Sequence, residues 1–255
     1  MPQTATTQML NKVPQITLVF WVIKIMATTV GETAADFLST TLKLGLTLTS
    51  LVMAALFLAA LAVQLRLRRY VPTVYWIVVV LISVVGTLSS DNLVDNFGVS
   101  LATSSIGFGL ILAAVFAAWY ASERTLSIHT IVTTKRELFY WAAILFTFAM
   151  GTSVGDLVAE KLALGYAEAL LVFGLAIAAT FIAYRYFRAN PVLTFWIGYI
   201  LTRPLGASMG DLLSQSHANG GLGLGTTGTS MLFLVVIASL VVILTRKERS
   251  NPATV

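Results

Sequence analysis

The chain contains no cysteine, and only two of its 255 residues are histidine. Disulfide bonds, thiolate metal sites and thiol chemistry are therefore excluded, and cysteine usage does not indicate a redox compartment. His129 and His217 stand in separate interspan segments, so no histidine-based zinc or haem site is expected. Charged residues are also scarce, at 11% of the chain, whereas soluble domains carry about 25%.

Apolar sequence is abundant instead. Hydrophobic residues make up 57% of the chain, and the mean hydropathy is +0.87. Apolar runs of about 20 residues recur from end to end, and each can cross the hydrocarbon core of a bilayer as a helix. The sequence predicts a multi-pass membrane protein that is embedded in the lipid bilayer. Residues 1–12 lack a basic segment followed by an apolar core, so no cleaved signal peptide is predicted.

We predict an all-α fold, a membrane helix bundle with eight transmembrane helices in one domain, 1–255. A longer segment, 121–137, separates two halves of similar construction. The predicted spans are about 13–37, 45–63, 72–94, 106–120, 138–157, 166–183, 191–212 and 229–245.

The spans form four repeats. In each repeat a tryptophan lies fifteen residues before an aspartate and a glycine lies five before it, and the aspartates are 55, 65 and 55 residues apart. Recurrence of three residue types at fixed offsets is the signature of an internal repeat. The four sets are Trp21/Gly31/Asp36, Trp76/Gly86/Asp91, Trp141/Gly151/Asp156 and Trp196/Gly206/Asp211. We assign the repeats to residues 13–70, 71–123, 138–188 and 191–246.

Basic residues cluster in the segments that follow the even-numbered spans, which predicts that both termini are cytoplasmic. The net charge of +5 therefore reflects membrane topology, and no nucleic-acid partner is expected. Two spans per repeat mean that every repeat enters the membrane from the same side, so the repeats are parallel. The aspartates then share one depth toward the outer side, and the tryptophans are expected in the cytoplasmic aromatic belt.

The four tryptophan–glycine–aspartate units resemble a bacterial family of membrane proteins with four tandem repeats of unknown function. In that family each repeat has two transmembrane segments and a characteristic tryptophan. The resemblance covers about Val13–Thr245. It implies the eight-helix architecture, the tryptophans as a signature and a bacterial inner-membrane location, but it implies no function.

The acidic residues carry the functional argument. An ionisable group inside a span is costly and is a functional hypothesis by default. Steps of four residues keep side chains on one helix face, so each odd-numbered helix carries a polar stripe that could face a common path. The alternative is that the aspartates only cap helix connections. Seven of the eleven acidic residues belong to the motifs: Glu32, Asp36, Asp91, Asp95, Asp156, Glu160 and Asp211.

Carboxylate, hydroxyl and carbonyl oxygens are hard donors, suited to magnesium, calcium or manganese, or to protons. No other cofactor is predicted. The predicted metal ligands are Asp36, Asp91, Asp156 and Asp211, assisted by Glu32, Asp95 and Glu160.

Two further features have open readings. The motif glycines either permit close helix packing or loosen the helices so that backbone carbonyls become ligands. Lys24 and Arg203 are bases within predicted spans that break the repeat symmetry, and we interpret each as a gate or a counter-charge. The glycines concerned are Gly31, Gly86, Gly151 and Gly206.

The leading hypothesis is a transporter of a divalent metal cation such as manganese, and proton coupling suits clustered carboxylates. The alternative is a non-transporting sensor or scaffold that binds a partner through segment 121–137. An intramembrane enzyme is least favoured, because the chain lacks a convincing nucleophile or cofactor motif, so we predict no enzymatic activity. The repeat spacing favours two paired half-sites over one shared site, and the sequence does not indicate an oligomeric state.

Overall fold

A computed structural model describes residues 11–250 of the chain. Over this range the chain forms eight long α-helices and no β-strand, which confirms the predicted all-α fold. The observed helix ends differ from the predicted ones by a few residues. The helices are α1 (Leu18–Asp36), α2 (Leu46–Arg66), α3 (Pro72–Asp91), α4 (Leu101–Glu123), α5 (Thr134–Asp156), α6 (Tyr166–Tyr186), α7 (Pro191–Ser214) and α8 (Gly225–Ser250).

Local sequence explains where the helices begin. Pro72 and Pro191 are the first residues of α3 and α7, where the missing N–H costs nothing because no helical acceptor exists there. Asn190 caps α7, and its Oδ1 accepts hydrogen bonds from the backbone N–H groups of Val192 at 2.9 Å and Leu193 at 3.1 Å. These signals fix the entry points of two of the helices that carry the repeat motifs.

In residues 11–250, seven of the eight helices are long and apolar enough to cross a membrane. The exception is α7, which at 24 residues has sufficient length but contains Arg203, Pro204 and Asp211. It packs against α1, α5 and α6, and those three residues are buried by protein. A helix enclosed in this way needs less apolar surface than one that faces lipid.

The odd-numbered helices form a closed inner ring. In it α1 packs against α3, α3 against α5, α5 against α7, and α7 against α1. About three-fifths of the apolar window of α1 (61%) and of α3 (61%) is buried, whereas the values for α2 and α4 are 17% and 11%. The even-numbered helices therefore form an outer layer whose exposed leucine, isoleucine and valine side chains suit contact with lipid.

Each outer helix packs mainly on the inner helix of the next repeat rather than on that of its own. Thus α2 packs on α3, α4 on α5, α6 on α7, and α8 closes the circle on α1. Every repeat is consequently interlocked with the following one. The four sequence repeats form one body with a pseudo-four-fold arrangement, as parallel repeats require.

The motif glycines lie where neighbouring inner helices approach most closely. A Cβ atom on Gly31 would overlap Ser83 of α3, and one on Gly206 would overlap Thr28 of α1. Gly86 and Gly151 face α5 and α7 in the same manner. The packing interpretation of the glycines therefore agrees with the structure, because a side chain at these positions would force the ring apart.

The inner helices run in the same direction, with the motif tryptophans at one end of the ring and the motif aspartates at the other. We call these the aromatic end and the carboxylate end. The expectation that the tryptophans form a lipid-facing belt is wrong: Trp76, Trp141 and Trp196 are buried, and Trp21 is partly buried. They pack against aromatic side chains of neighbouring repeats inside the bundle, which leaves them little surface for lipid.

Candidate functional site

The motif aspartates lie at the ends of the inner helices. Asp36, Asp91 and Asp156 are the last α-helical residues of α1, α3 and α5, and a π-helical segment follows each of them directly. A π-helical turn is wider than an α-helical one and is frequently found at functional sites. In repeat four, α7 continues past Asp211 to Ser214 as an α-helix. The π-helical segments are Phe37–Thr41, Asn92–Asn96 and Leu157–Lys161.

All four aspartates line a single cavity of about 260 Å³ at the carboxylate end. The repeat spacing favours two paired half-sites and leaves one shared site open; in the structure the closed ring of inner helices brings the aspartates of all four repeats to one cavity. The lining residues are Glu32, Asp36, Ser39, Thr40, Leu46, Asp91, Val94, Asp95, Leu101, Asp156, Asp211 and Gln215.

Three of the carboxylates come closest together. One oxygen from each of Glu32, Asp156 and Asp211 lies within 4.8 Å of the other two, so a single cation could contact all three. Glu32 and Asp211 are buried, and Asp156 is partly buried. Glu32, predicted as an assisting residue, is thus a member of the closest group.

The other predicted ligands are not members of this group of three, and one of them lies outside the described side chains. Asp36 and Asp91 contribute to the cavity wall as partly buried residues, and Asp95 lines the cavity but is exposed. Glu160 belongs to the third π-helical segment, and its side chain lies outside the described part of the structure. The cavity therefore brings together six of the seven predicted acidic residues.

Directly below the cavity, toward the aromatic end, lies the guanidinium of Arg203. The arginine is fully buried and bonds to all three of the other inner helices. Its Nη2 donates to Glu32 Oε2 at 2.7 Å, to Thr152 Oγ1 at 2.6 Å and to Thr87 Oγ1. Its Nη1 donates to the backbone oxygen of Thr28 at 3.4 Å. Arg203 is therefore an ion-pair partner of one carboxylate of the closest group.

The repeat register explains how the arginine fits. Four residues before the motif aspartate, the first three repeats carry polar Glu32, Thr87 and Thr152, whereas the fourth carries Ala207. Arg203 starts one turn lower on α7 and extends its guanidinium into the layer of those three polar side chains. Because Ala207 is small, the arginine supplies the polar group that α7 otherwise lacks in this layer.

One more turn below lies Lys24 of α1, which is fully buried. Its Nζ is 4.0 Å from the ring centre of Phe148 and 4.3 Å from that of Tyr199. Among the described residues, Nζ has no hydrogen-bond acceptor, so its contacts are with the faces of the two aromatic rings. A buried amine in such a site is costly, and this favours a functional reason for keeping it.

At the aromatic end, aromatic side chains in mutual contact close the ring of inner helices. Each motif tryptophan is preceded by an aromatic residue, and each tryptophan packs on the aromatic residue of the preceding repeat in the circle. The hydroxyls of Tyr75 and Tyr140 also share a hydrogen bond of 2.5 Å. The four contacts are Trp76 on Phe20 at 5.7 Å, Trp141 on Tyr75 at 5.5 Å, Trp196 on Tyr140 at 6.2 Å and Trp21 on Phe195 at 5.8 Å.

A buried ion pair lies beyond these rings. Lys12 Nζ donates to Glu137 Oε2 at 2.5 Å and to the backbone oxygen of Leu65 at 3.1 Å, and Gln64 Nε2 donates to Glu137 Oε1 at 3.0 Å. Both charged side chains are only 1% exposed. The network joins the segment before α1 to the end of α2 and the start of α5. It therefore holds three parts of the chain together at the aromatic end.

Neither the aromatic contacts between repeats nor the Lys12–Glu137 ion pair is among the features predicted from the sequence. Only the aromatic contacts have a signal in the sequence. The aromatic residue before every motif tryptophan recurs in all four repeats, and this recurrence indicates contacts between repeats rather than a lipid belt. The Lys12–Glu137 pair has no comparable signal, because 125 residues separate its members. Only the closed ring, which brings α5 against the start of the chain, makes that pairing visible.

The fold and the cavity together define a class of protein. The chain is a multi-pass helical membrane protein in which four parallel two-helix repeats surround one acidic cavity. Residues 19–70, 74–125, 139–190 and 194–250 each match the family model described as Repeat of Unknown Function (DUF347). The chain belongs to this family, which confirms the resemblance found from the repeats. Comparisons with curated proteins and with solved structures found no match.

Proposed function

We propose that the protein transports a divalent metal cation, with manganese as the leading candidate, and that the cavity at the carboxylate end is its binding site. The observation that carries the proposal is the approach of Glu32, Asp156 and Asp211 to within 4.8 Å of one another inside a membrane bundle. Carboxylates placed this close repel each other unless a cation or protons offset their charge. Oxygen ligands at this density suit a hard divalent ion.

The composition of the cavity supports a cation over other solutes. Six acidic residues line it, together with Ser39, Thr40 and Gln215, and none of the described lining residues is basic. These side chains offer oxygen ligands and fit neither an anion nor a bulky apolar substrate. The surplus of carboxylates over Arg203 attracts cations into the opening.

Proton coupling is part of the proposal. Neighbouring carboxylates hold protons more tightly than isolated ones, so the same groups can exchange protons for a metal ion. Export of the metal against entering protons is the cycle we favour. A pH dye in vesicles tests this part. A metal gradient should acidify the compartment that the metal leaves, because protons move in the opposite direction. Metal flux without any proton movement would restrict the proposal to uncoupled transport.

The proposal places the protein in a bacterial inner membrane with both termini and the aromatic end in the cytoplasm, since basic residues collect at that end. The cavity then opens away from the cytoplasm. The cysteine-free chain permits a direct test by single substitutions Ser122→Cys and Asn219→Cys. An impermeant thiol reagent added to intact cells should label only the second variant, and labelling of only the first would reverse the orientation.

The decisive experiment is manganese flux in proteoliposomes. We expect Asp156→Asn and Asp211→Asn each to reduce flux at least tenfold, because each removes a charge from the closest group of ligands. Glu168→Gln is the matched control, since Glu168 is an exposed acid in the first turn of α6 that does not line the cavity. Unaltered flux in both aspartate variants would refute the proposal. Saturable binding without any flux in the unmodified protein would favour the sensor alternative.

A further inference from the structure

We infer that Arg203 is a built-in competitor of the transported cation: it shares Glu32 with the metal site, and its separation from Glu32 accompanies metal binding. This inference rests on the proposed function and concerns how the same site is loaded and emptied. The arginine would then set both the affinity of the site and the moment at which the path below the cavity opens.

The first support is the double role of Glu32. Its Oε2 accepts the 2.7 Å hydrogen bond from Arg203 Nη2, while its carboxylate also belongs to the group that could hold a metal. A divalent ion bound to this carboxylate and the guanidinium cation would lie close together in a buried setting. Their repulsion is strong there because little water screens it. Each cation therefore weakens the binding of the other to Glu32.

The second support is the position of Arg203 in the ring. The guanidinium reaches α1, α3 and α5 from α7, so it spans the middle of the inner ring directly below the cavity. Below it lies Lys24, enclosed by the rings of Phe148 and Tyr199. A cation that moves from the cavity toward the aromatic end must pass both positive side chains. The arginine therefore blocks the path for as long as it stays on Glu32.

The third support is that Arg203 has acceptors that do not depend on Glu32. Thr87 Oγ1, Thr152 Oγ1 and the backbone oxygen of Thr28 all accept from it. The guanidinium can therefore give up the carboxylate and remain hydrogen-bonded within the ring. This lowers the cost of displacement compared with leaving a buried arginine without any partner.

The test compares manganese affinity in the purified protein and two variants. Removal of a competitor raises the affinity of the site for the metal, so Arg203→Gln should bind manganese at least tenfold more tightly. It should also release manganese more slowly and show a lower turnover in flux assays. Arg203→Lys keeps the charge and should stay within about threefold of the unmodified protein, on the same electrostatic grounds. Ser83→Ala is the matched control, because Ser83 is buried and uncharged and stands eight residues before its motif aspartate, as Arg203 does on α7.

The sign of the change separates competition from a structural role. If Arg203 only positions Glu32, its removal misplaces a ligand, and manganese binds more weakly. Weaker or unchanged binding in Arg203→Gln, with normal binding in the unmodified protein, overturns this inference and leaves the proposed function standing. No saturable binding in the unmodified protein overturns both.

A second measurement avoids any variant that fails to fold. In the unmodified protein, the guanidinium N–H groups of the buried Arg203 should exchange slowly with water and give observable nitrogen-detected NMR signals. Saturating magnesium, which is diamagnetic, should shift these signals or accelerate their exchange as the arginine leaves Glu32. Unchanged signals at saturating magnesium would contradict displacement.

Discussion

Replacement of Gly86 by alanine tests the close helix packing on which the cavity depends. Gly86 lies on α3 against α5, and an added Cβ would overlap the Cβ of Phe148. It would also lie 3.2 Å from the backbone nitrogen of Ala149 and 3.2 Å from the backbone carbonyl carbon of Phe148. Because these contacts include backbone atoms, a change of side-chain rotamer cannot relieve them. The two helices must move apart.

The magnitude follows from two opposed terms. Overpacking of a close interface costs about 1–3 kcal/mol, and contact with backbone puts Gly86→Ala at the upper end of that range. Alanine recovers about 1 kcal/mol through its better helix propensity. The net loss in the free energy of unfolding is about 2 kcal/mol, which for a chain of this size corresponds to a fall in Tm of about 4–8 °C.

The chain supplies a control of opposite sign. Gly107 lies inside α4, and no heavy atom comes within 4 Å of a Cβ added to it. Gly107→Ala therefore gains helix propensity without a clash and should raise the Tm by about 2–4 °C. Thermal unfolding of both variants in the same detergent micelles measures the difference. A Gly86→Ala protein that unfolds at or above the temperature of the unmodified protein would refute the close-packed ring.

Two further predictions concern the buried charges. Glu137→Gln leaves the Lys12 ammonium buried without its carboxylate and should lower the free energy of unfolding by about 3–5 kcal/mol. The double variant Lys12→Met/Glu137→Leu, which removes both charges, should recover most of that loss. Equal losses in the two variants, measured by thermal unfolding, would contradict a strongly coupled pair. Lys24→Met removes a buried amine that has no acceptor among the described residues and should stabilise the protein by about 1–3 kcal/mol. If the manganese flux of Lys24→Met also falls, the lysine is retained for function rather than stability. A destabilised Lys24→Met protein would show instead that the aromatic contacts outweigh the cost of burial.

The periodicity of the sequence was sufficient to predict the helices and the repeat. Seven of the eight predicted spans correspond to helices of the described residues that are both long enough and apolar enough to cross a bilayer. The eighth, α7, is predicted as a span together with the others, and its tryptophan, glycine and aspartate match the other repeats even though Arg203 and Pro204 reduce its apolar character. The repeat thus carried information that hydropathy alone did not contain.

The arrangement of the helices could not be predicted in the same way. Nothing in the periodicity of α2 indicates that it packs on α3 of the next repeat rather than on α1. The sequence does not predict the closest group of carboxylates in detail, because the four motif aspartates are equivalent, while the position of Glu32 is occupied by Thr87, Thr152 and Ala207 in the other repeats. Its proximity to Asp156 and Asp211 follows from the ring order, which brings α1 beside α7.

The four seams of the ring differ in how the chain connects them. Three of its four seams join inner helices of consecutive repeats, which the outer helices connect along the chain. The seam between α7 and α1 joins the last repeat to the first and has no such connection. Noncovalent contacts close it: α7 packs on α1, and α8 also packs on α1. Among the polar contacts across it are the Arg203–Glu32 ion pair at 2.7 Å and the hydrogen bond from Thr28 Oγ1 to the backbone oxygen of Thr202 at 3.2 Å. Displacement of Arg203 from Glu32 therefore weakens the seam that covalent structure protects least. The candidate site for the cation and the seam without a covalent connection therefore meet at the same carboxylate.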